Sequence, residues 1–173
     1  MGANAEGRSV TVYGDAQTLV GQAVSVGDRA PDFVAIASDL SPVPFCSFSG
    51  RPCILSSVVS LDTPVCDAQT RRFSEEAARI GPDVRVISLS MDLPFALDRW
   101  CGREGLPHVV ALSDHRDASF GRAYGVLMRD LRLLARAVFV VDREGVIRHR
   151  EIVPEVTEAP DYDAALAELR KWA

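Results

Sequence analysis

The sequence lacks the features that mark several large classes of protein. Its four cysteines form no Cys-x-x-Cys pair, which excludes a zinc knuckle and a vicinal dithiol. The three histidines lie far along the chain from most of the cysteines, so we expect neither a metal site nor a cofactor. No apolar run approaches the ~20 residues that span a bilayer, so no membrane association is expected. The net charge of −5 argues against binding to nucleic acid, which needs basic patches.

The amino-terminal stretch MGANAEGRSV has no apolar core of the kind that a signal peptide carries, so we expect a cytoplasmic protein. The composition is ordinary for a globular protein, with 47% hydrophobic and 25% charged residues. A chain of 173 residues can build one proper core but hardly two. We therefore predict a single domain over residues 1–173, with an N-terminal hairpin at about residues 10–24.

The order of the predicted elements is that of an α/β protein. Alternating polarity and turn residues predict strands at residues 10–13, 18–24, 33–37, 43–45, 53–59, 84–89, 109–112, 137–141 and 146–152. Helical spacing and cap residues predict helices at residues 63–80, 92–101, 119–124 and 161–172. This order indicates a central mixed sheet flanked by helices, for which the thioredoxin fold is the obvious candidate among others.

The sharpest local signal is a cysteine at the start of a predicted helix. Thr63 is a good N-cap and Pro64 a good first helical residue, which places Cys66 in the first turn. There the free backbone N–H groups and the helix dipole stabilise a thiolate over a thiol. Ionisation alone gains at most roughly thirtyfold in reactivity, because an unperturbed thiol is already a few per cent ionised near neutrality. A fast reaction would also need hydrogen-bond donors around the transition state.

A purely structural interpretation of Cys66 is also open. The residue lies on the same helical stripe as Phe73 and Ile80, and free cysteine is among the most buried residue types. Cys101, beside Trp100, could likewise be part of the core. Cys46 and Cys53 are expected to be structural residues of strands or strand edges.

Several segments in the same order resemble the peroxiredoxins, and more specifically the atypical two-cysteine class of the bacterial thiol peroxidase subfamily. The resemblance runs nearly end to end and includes the N-terminal hairpin. The matching segments are residues 27–33 (GDRAPDF), 60–67 (SLDTPVCD), 90–96 (SMDLPFA), 99–102 (RWCG), 134–138 (LARAV) and 158–166 (EAPDYDAAL).

The resemblance implies a thioredoxin fold of the peroxiredoxin variant and a role for four residues. Cys66 matches the peroxidatic cysteine, and Thr63 the threonine that hydrogen-bonds the sulfur and the peroxide. Arg136 matches the arginine that holds thiolate and substrate, and Cys101 the resolving cysteine on the next helix of the same subunit. The implied reaction reduces hydrogen peroxide and alkyl hydroperoxides through an intramolecular Cys66–Cys101 disulfide. Thioredoxin recharges the enzyme, which is implied to be a homodimer.

One position departs from the family pattern. Peroxiredoxins carry a proline four residues before the threonine, and this chain has Val59 there. Valine fills space but keeps a backbone N–H that proline lacks, so the sulfur pocket is expected to be wetter, looser or differently hydrogen-bonded. Without the resemblance, Arg136 would be interpreted as a surface arginine at the start of a strand.

The two matched cysteines lie on different predicted helices, whereas a disulfide needs Cα atoms within ~7 Å. We therefore predict local unwinding around Cys66 and Cys101 on oxidation. Two other functions remain open: a peroxide-responsive redox sensor or holdase, and a thiol–disulfide oxidoreductase on a thioredoxin fold. The absence of a vicinal cysteine pair disfavours the oxidoreductase.

Overall fold

The computed structural model describes residues 7–173 and shows strands and helices in the predicted alternating order. The strands are β1 (Ser9–Val12), β2 (Asp15–Val20), β3 (Val34–Ile36), β4 (Pro42–Pro44), β5 (Cys53–Ser57), β6 (Arg85–Ser90), β7 (Val109–Ser113), β8 (Leu127–Met128), β9 (Leu133–Leu134), β10 (Ala137–Val141) and β11 (Ile147–Ile152). The helices are α1 (Pro64–Ile80), α2 (Pro94–Glu104), α3 (Ser119–Ala123) and α4 (Tyr162–Trp172), and a 3₁₀ turn spans Phe45–Phe48.

The main sheet is mixed, in the order β11-β10-β5-β6-β7-β3-β4. Strands β5, β6 and β7 are parallel, and β10 pairs antiparallel with β5. Every residue of β5 and of β10 is buried, as expected for apolar strands in the middle of a sheet that is covered on both faces. The carboxyl ends of the three parallel strands therefore share one edge with the amino end of β10. The predicted mixed α/β sheet is confirmed.

A smaller sheet pairs the N-terminal hairpin with two short strands, in the order β1-β2-β8-β9. Strands β8 and β9 are too short, at two residues each, to show any periodicity in the sequence, and they were not predicted. The hairpin is bound to the segment after β11, where the Glu155 carboxylate accepts hydrogen bonds from the backbone N–H groups of Tyr13 and Gly14. The hairpin therefore lies against the segment that leads from β11 to α4.

Helix α1 begins and ends where the sequence predicted. Thr63 is the extended N-cap residue, Pro64 is the first helical residue, and Gly81 follows the last turn. The predicted stripe is also present, with Cys66, Phe73 and Ala77 all buried. Phe73 and Ala77 pack with Leu166 and Leu169 of α4 in one apolar cluster on this face of the sheet.

The start of α2 differs from the prediction. Asp92 was expected to cap this helix, but the N-cap residue is Leu93 and no side chain caps it. The Asp92 carboxylate instead binds Ser60 and the backbone N–H of Leu61, in the loop between β5 and α1. The helix continues past Cys101 to Glu104, where Gly105 adopts the left-handed conformation that favours glycine at a helix end. Within residues 7–173, no helix has the length and apolar character needed to cross a membrane.

Candidate active site

Cys66 lies in the first turn of α1 and is completely buried. The fully buried strand β5 leads into a short loop, and Pro64 then fixes the backbone angle for the first helical residue. The sulfur therefore lies at the positive end of a 17-residue helix, where free N–H groups favour an anion. It packs in a small apolar cluster with Val58, Leu61, Leu97 and Trp100.

Arg136 provides the cation next to this sulfur. Its Nη2 donates to Cys66 Sγ at 3.4 Å, and the residue is only 2% exposed. The other arms of the guanidinium are also occupied, because Nε donates to the Val156 carbonyl at 2.8 Å and Nη1 to Gln69 Oε1 at 2.7 Å. The interpretation of Arg136 as a surface residue, open from the residues alone, is wrong. The buried guanidinium is fixed in one orientation and directs one N–H at the sulfur.

The sheet topology explains how residues 70 positions apart come to meet. Ser57, the last residue of β5, pairs with Ala137, the first residue of β10. Arg136 precedes β10 and therefore lies at the sheet edge where the chain leaves β5 for α1. This pairing is long-range in sequence, and only the folded sheet creates it.

Gln69 is a functional candidate that the sequence analysis missed. It is fully buried on α1, where its amide donates to the Ser56 hydroxyl at 2.8 Å and its carbonyl accepts from Arg136. The amide is neutral, so it orients the guanidinium without neutralising it as a carboxylate would. The sequence signal that could have identified Gln69 is a polar residue one turn after Cys66 on the buried stripe of the helix.

Thr63 donates its hydroxyl proton to the Ser60 carbonyl at 2.9 Å, and Asp67 N donates to the Thr63 carbonyl at 3.0 Å. Thr63 is thus the N-cap residue by backbone geometry, although its side chain caps no N–H group. Because the hydroxyl proton is engaged, the lone pairs of Thr63 Oγ1 remain free to accept a hydrogen bond from a substrate O–H. The Thr63 hydroxyl can therefore orient a peroxide by accepting a hydrogen bond from the O–H group of the peroxide.

A cavity of about 300 Å³ adjoins this group of residues. Its wall contains Thr63 and Arg136, and most of the remaining lining is apolar. The lining residues are Val12, Tyr13, Val59, Thr63, Pro64, Val65, Arg136, Val156 and Thr157. The N-terminal hairpin contributes part of the wall, and so does Val59, at the position where the resemblance predicts a proline. A small substrate could approach the buried sulfur from this side.

Cys101 lies on the exposed side of α2, and all four cysteines are free thiols. The preceding residue, Trp100, is buried in the same cluster as Cys66, whereas Cys101 itself is exposed. The two cysteines therefore lie in different environments. Desolvation of the sulfur and, to a lesser degree, the Asp98 carboxylate raise the pKa of the Cys101 thiol. The structure therefore does not bring the two predicted cysteines into a bond, and Cys101 is mostly a thiol near neutrality.

Two polar contacts join the start of α1 to α2. Trp100 Nε1 donates to Asp67 Oδ1 at 2.9 Å, and Arg71 forms an ion pair with Glu104. Burial by itself raises the pKa of Asp67, but hydrogen bonds from Arg71 and Trp100 hold that pKa below its usual value. Asp67 is therefore a carboxylate at neutral pH, and its contacts oppose separation of the two helices.

The two other cysteines have environments unlike that of Cys66. Cys53 is buried in β5, where desolvation raises the pKa of its thiol to about 12, so it stays protonated and unreactive. Cys46 is exposed in the 3₁₀ turn. Among residues 7–173, no three His, Cys, Asp or Glu side chains are grouped as metal ligands.

The raised pKa of Cys101 predicts a pH dependence for any attack by this sulfur. The thiolate is the nucleophile, so the rate of attack should rise with pH until the pH passes the raised pKa. We expect Asp98→Asn to lower that pKa and to speed disulfide formation about twofold near pH 7, since the carboxylate is exposed and screened. Stopped-flow fluorescence across pH 6–10 measures the profile. Asp130→Asn, an exposed acid far along the chain, is the control, and an identical shift in both variants would contradict the prediction.

Comparison with known proteins identifies the family of this chain. The Redoxin family model matches residues 25–166. The thiol peroxidase of Bacillus subtilis is 52% identical over 154 residues, which cover 89% of this chain and 92% of the relative. The thiol peroxidase of Halalkalibacterium halodurans is 51% identical over 158 residues, which cover 91% and 95%. The crystal structure of a peroxiredoxin-like protein from Aquifex aeolicus matches with a TM-score of 0.88 and 38% identity, covering 96% of this chain and 98% of the other. The chain therefore belongs to the Redoxin family and, within it, to the bacterial thiol peroxidases of the peroxiredoxin group.

Proposed function

We propose that this chain reduces hydrogen peroxide and organic hydroperoxides with Cys66 as the attacking sulfur. The observation that carries the proposal is the hydrogen bond from Arg136 to Cys66 Sγ at the amino end of α1. A guanidinium and a helix amino terminus both stabilise the thiolate. The same donors can stabilise the charge that develops as the O–O bond breaks.

In the first step the Cys66 thiolate attacks the terminal oxygen of the peroxide. An S–O bond forms while the O–O bond breaks, and the leaving oxygen takes a proton and departs as water or an alcohol. The sulfur becomes a sulfenic acid, oxidised by two electrons. Thr63 Oγ1 accepts a hydrogen bond from the peroxide, because its own proton is bound to the Ser60 carbonyl.

In the second step the Cys101 thiolate attacks the sulfenic sulfur. The disulfide forms, and the sulfenic hydroxyl leaves with a proton as water. Thioredoxin then reduces the disulfide and restores both thiols. Because Cys66 is buried and Cys101 is exposed, the start of α1 and the middle of α2 must both rearrange before the two sulfurs can bond.

The cavity beside the site supports organic hydroperoxides as substrates. Valine and proline side chains form most of its wall, while Thr63 and Arg136 are the polar groups at the reacting end. An apolar wall of this kind favours binding of the alkyl group of an organic hydroperoxide, which leaves water when it enters the cavity. A bulky alkyl hydroperoxide should therefore react at least as fast as hydrogen peroxide.

The remaining proposals concern assembly, which the family resemblance implies, and location. A homodimer is supported by the exposed apolar side chains of Leu93 and Phe95 at the start of α2. Analytical ultracentrifugation tests it, and a monomer at all concentrations would contradict it. A cytoplasmic location suits a protein whose four cysteines are all free. Cell fractionation tests the location.

The experiment that tests the function is stopped-flow oxidation of the reduced protein, followed by mass spectrometry of the product. The wild-type chain should lose two thiols per peroxide and form the Cys66–Cys101 disulfide. Cys101→Ser should consume one equivalent and then stall as a sulfenic acid, because no second thiolate is available. Continued thioredoxin-dependent turnover by Cys101→Ser would contradict the proposed resolving role.

Family membership favours the peroxidase over the two other functions that the sequence left open. A redox sensor or holdase would be oxidised once without thioredoxin-coupled turnover. A thiol–disulfide oxidoreductase would reduce insulin, for which this chain lacks a vicinal cysteine pair. Measuring both activities beside peroxide consumption separates the three.

A further inference from the structure

Asp92 joins the loop before α1, the helix that carries Cys66, to the turn before α2, the helix that carries Cys101. Its Oδ1 accepts a hydrogen bond from the Ser60 hydroxyl at 2.7 Å. Its Oδ2 accepts one from Leu61 N at 2.9 Å and another from the Ser90 hydroxyl at 2.9 Å. Three donors thus converge on one carboxylate, an arrangement that an acceptor-only side chain satisfies fully.

The contact with Ser60 extends to the reacting end of the site. The Ser60 carbonyl accepts hydrogen bonds from both the backbone N–H and the hydroxyl of Thr63, at 3.1 and 2.9 Å. Asp92 therefore fixes Ser60, and Ser60 fixes the hydroxyl that faces the substrate cavity. Asp92 is connected to Thr63 only through Ser60, so its effect on the reacting atoms is indirect.

The position of Asp92 in the chain gives it a second connection. It lies in the turn between β6 and α2, two residues before the first residue of the helix that carries Cys101. Its own carbonyl accepts a hydrogen bond from the Ser113 hydroxyl, which ties that turn to the end of β7. The loop before Cys66 and the turn before α2 are consequently held together through one side chain.

We infer that Asp92 is a positioning residue that holds the peroxide-reactive arrangement and opposes the rearrangement needed for the disulfide. The inference rests on the proposed roles of Cys66 and Cys101. With Asp92 bound, Thr63 is fixed for the first step. Release of Ser60 and Leu61 frees the start of α1 for the second.

This role sets the outcome of a competition at the sulfenic acid. Attack by Cys101 forms the disulfide and releases water. A second peroxide molecule instead transfers an oxygen to the sulfenic sulfur, giving a sulfinic acid and releasing water or an alcohol. A longer-lived closed arrangement favours the second route, so Asp92 should increase the sulfinic acid formed at high peroxide.

The test uses Asp92→Asn, which keeps the shape but replaces an acceptor oxygen with a donor. The neutral amide weakens the charge-assisted bonds, and its NH2 group can face Ser60 only if that hydroxyl turns to accept instead of donating. Rapid-mix kinetics should show oxidation of Cys66 by hydrogen peroxide slowed about tenfold and disulfide formation accelerated about threefold or more, in line with the weakening of charge-assisted hydrogen bonds that are partly buried. Mass spectrometry should show less sulfinic acid than in the wild type at the same peroxide concentration.

The matched control is Asp142→Asn. Asp142 also accepts three hydrogen bonds, from the N–H groups of Glu144 and Val146 and from Arg148 Nε. It follows the opposite end of β10 from Arg136, so its loss should lower stability without changing either rate selectively. If Asp92→Asn does not fold, Ser60→Ala removes the bond to Oδ1, together with the exposed bond that the Ser60 hydroxyl accepts from Asp62 N, and should change both rates in the same directions.

Opposite changes in the two rates, absent from Asp142→Asn, support the inference. Unchanged rates, or a parallel decrease in both, would overturn it, because neither is expected if one contact serves the first step and opposes the second. Failure of the proposed function appears separately, as a wild-type protein that forms no Cys66–Cys101 disulfide.

Discussion

Cys66→Ser should abolish peroxide turnover. A serine hydroxyl remains protonated at neutral pH and is a far poorer nucleophile than a thiolate, so no sulfenic acid and no disulfide can form. The side chain is nearly isosteric, and the residue is buried in a small cluster, so the fold should be retained. Thioredoxin-coupled consumption of hydrogen peroxide measures the effect, with circular dichroism as the test of folding.

The control for this variant is Cys46→Ser, which alters an exposed cysteine away from α1. It should keep wild-type turnover. Substantial peroxide consumption by Cys66→Ser, or its loss in Cys46→Ser, would transfer the reaction to another sulfur and contradict the assignment.

Arg136→Lys should reduce the rate constant for Cys66 oxidation by about two orders of magnitude, the usual cost of losing one preorganised donor to a transition state. Lysine keeps the charge but has no planar fork. It therefore cannot donate to Cys66, Gln69 and the Val156 carbonyl at once in the same geometry. Stopped-flow fluorescence under pseudo-first-order peroxide measures this rate constant directly.

A matched arginine elsewhere separates lost reactivity from lost stability. Arg8 donates to the carbonyls of Gly125 and Gly21 and so joins parts of the smaller sheet. Arg8→Lys should lower thermal stability, because lysine lacks the planar fork that donates to both carbonyls, but it should leave the rate of Cys66 oxidation within about twofold, because Arg8 hydrogen-bonds to no residue of the site. Equal losses of rate in the two variants would indicate that Arg136 acts through stability alone.

Local sequence rules predicted the elements whose causes are local. Helix α1 was predicted to within a residue because Thr63 and Pro64 start it and Gly81 ends it. The buried strands β5 and β10 were likewise evident from their apolar composition. Strands β8 and β9 were missed, because their two-residue pairing depends on the neighbouring hairpin and not on any pattern of their own.

The site residues divide in the same way. Cys66 could be singled out from its place at a helix start, whereas Arg136 was identified only by family resemblance. Nothing local distinguishes Arg136 from a surface arginine, because its partners are brought to it by the pairing of β10 with β5. Asp92 was misinterpreted for the same reason. An aspartate at the start of a helical segment matches a helix cap, but the Asp92 carboxylate faces a loop about 30 residues earlier in the chain.

The Cys66 sulfur is buried, but burial alone does not make it unreactive. A buried cysteine without a charged neighbour would be an unreactive part of the core, as Cys53 is. Cys66 differs because a guanidinium is buried with it, and burying that cation is favourable only with acceptors for its N–H groups. The adjoining cavity has Thr63 and Arg136 in its wall, so a peroxide bound there would meet the guanidinium that contacts the sulfur.

The most direct test treats the reduced protein with one equivalent of hydrogen peroxide and then maps every cysteine by differential alkylation and mass spectrometry. The account predicts a single product in which Cys66 is linked to Cys101 while Cys46 and Cys53 remain free thiols. Recovery of Cys66 as a free thiol, with the oxidation found on any other cysteine, would contradict it.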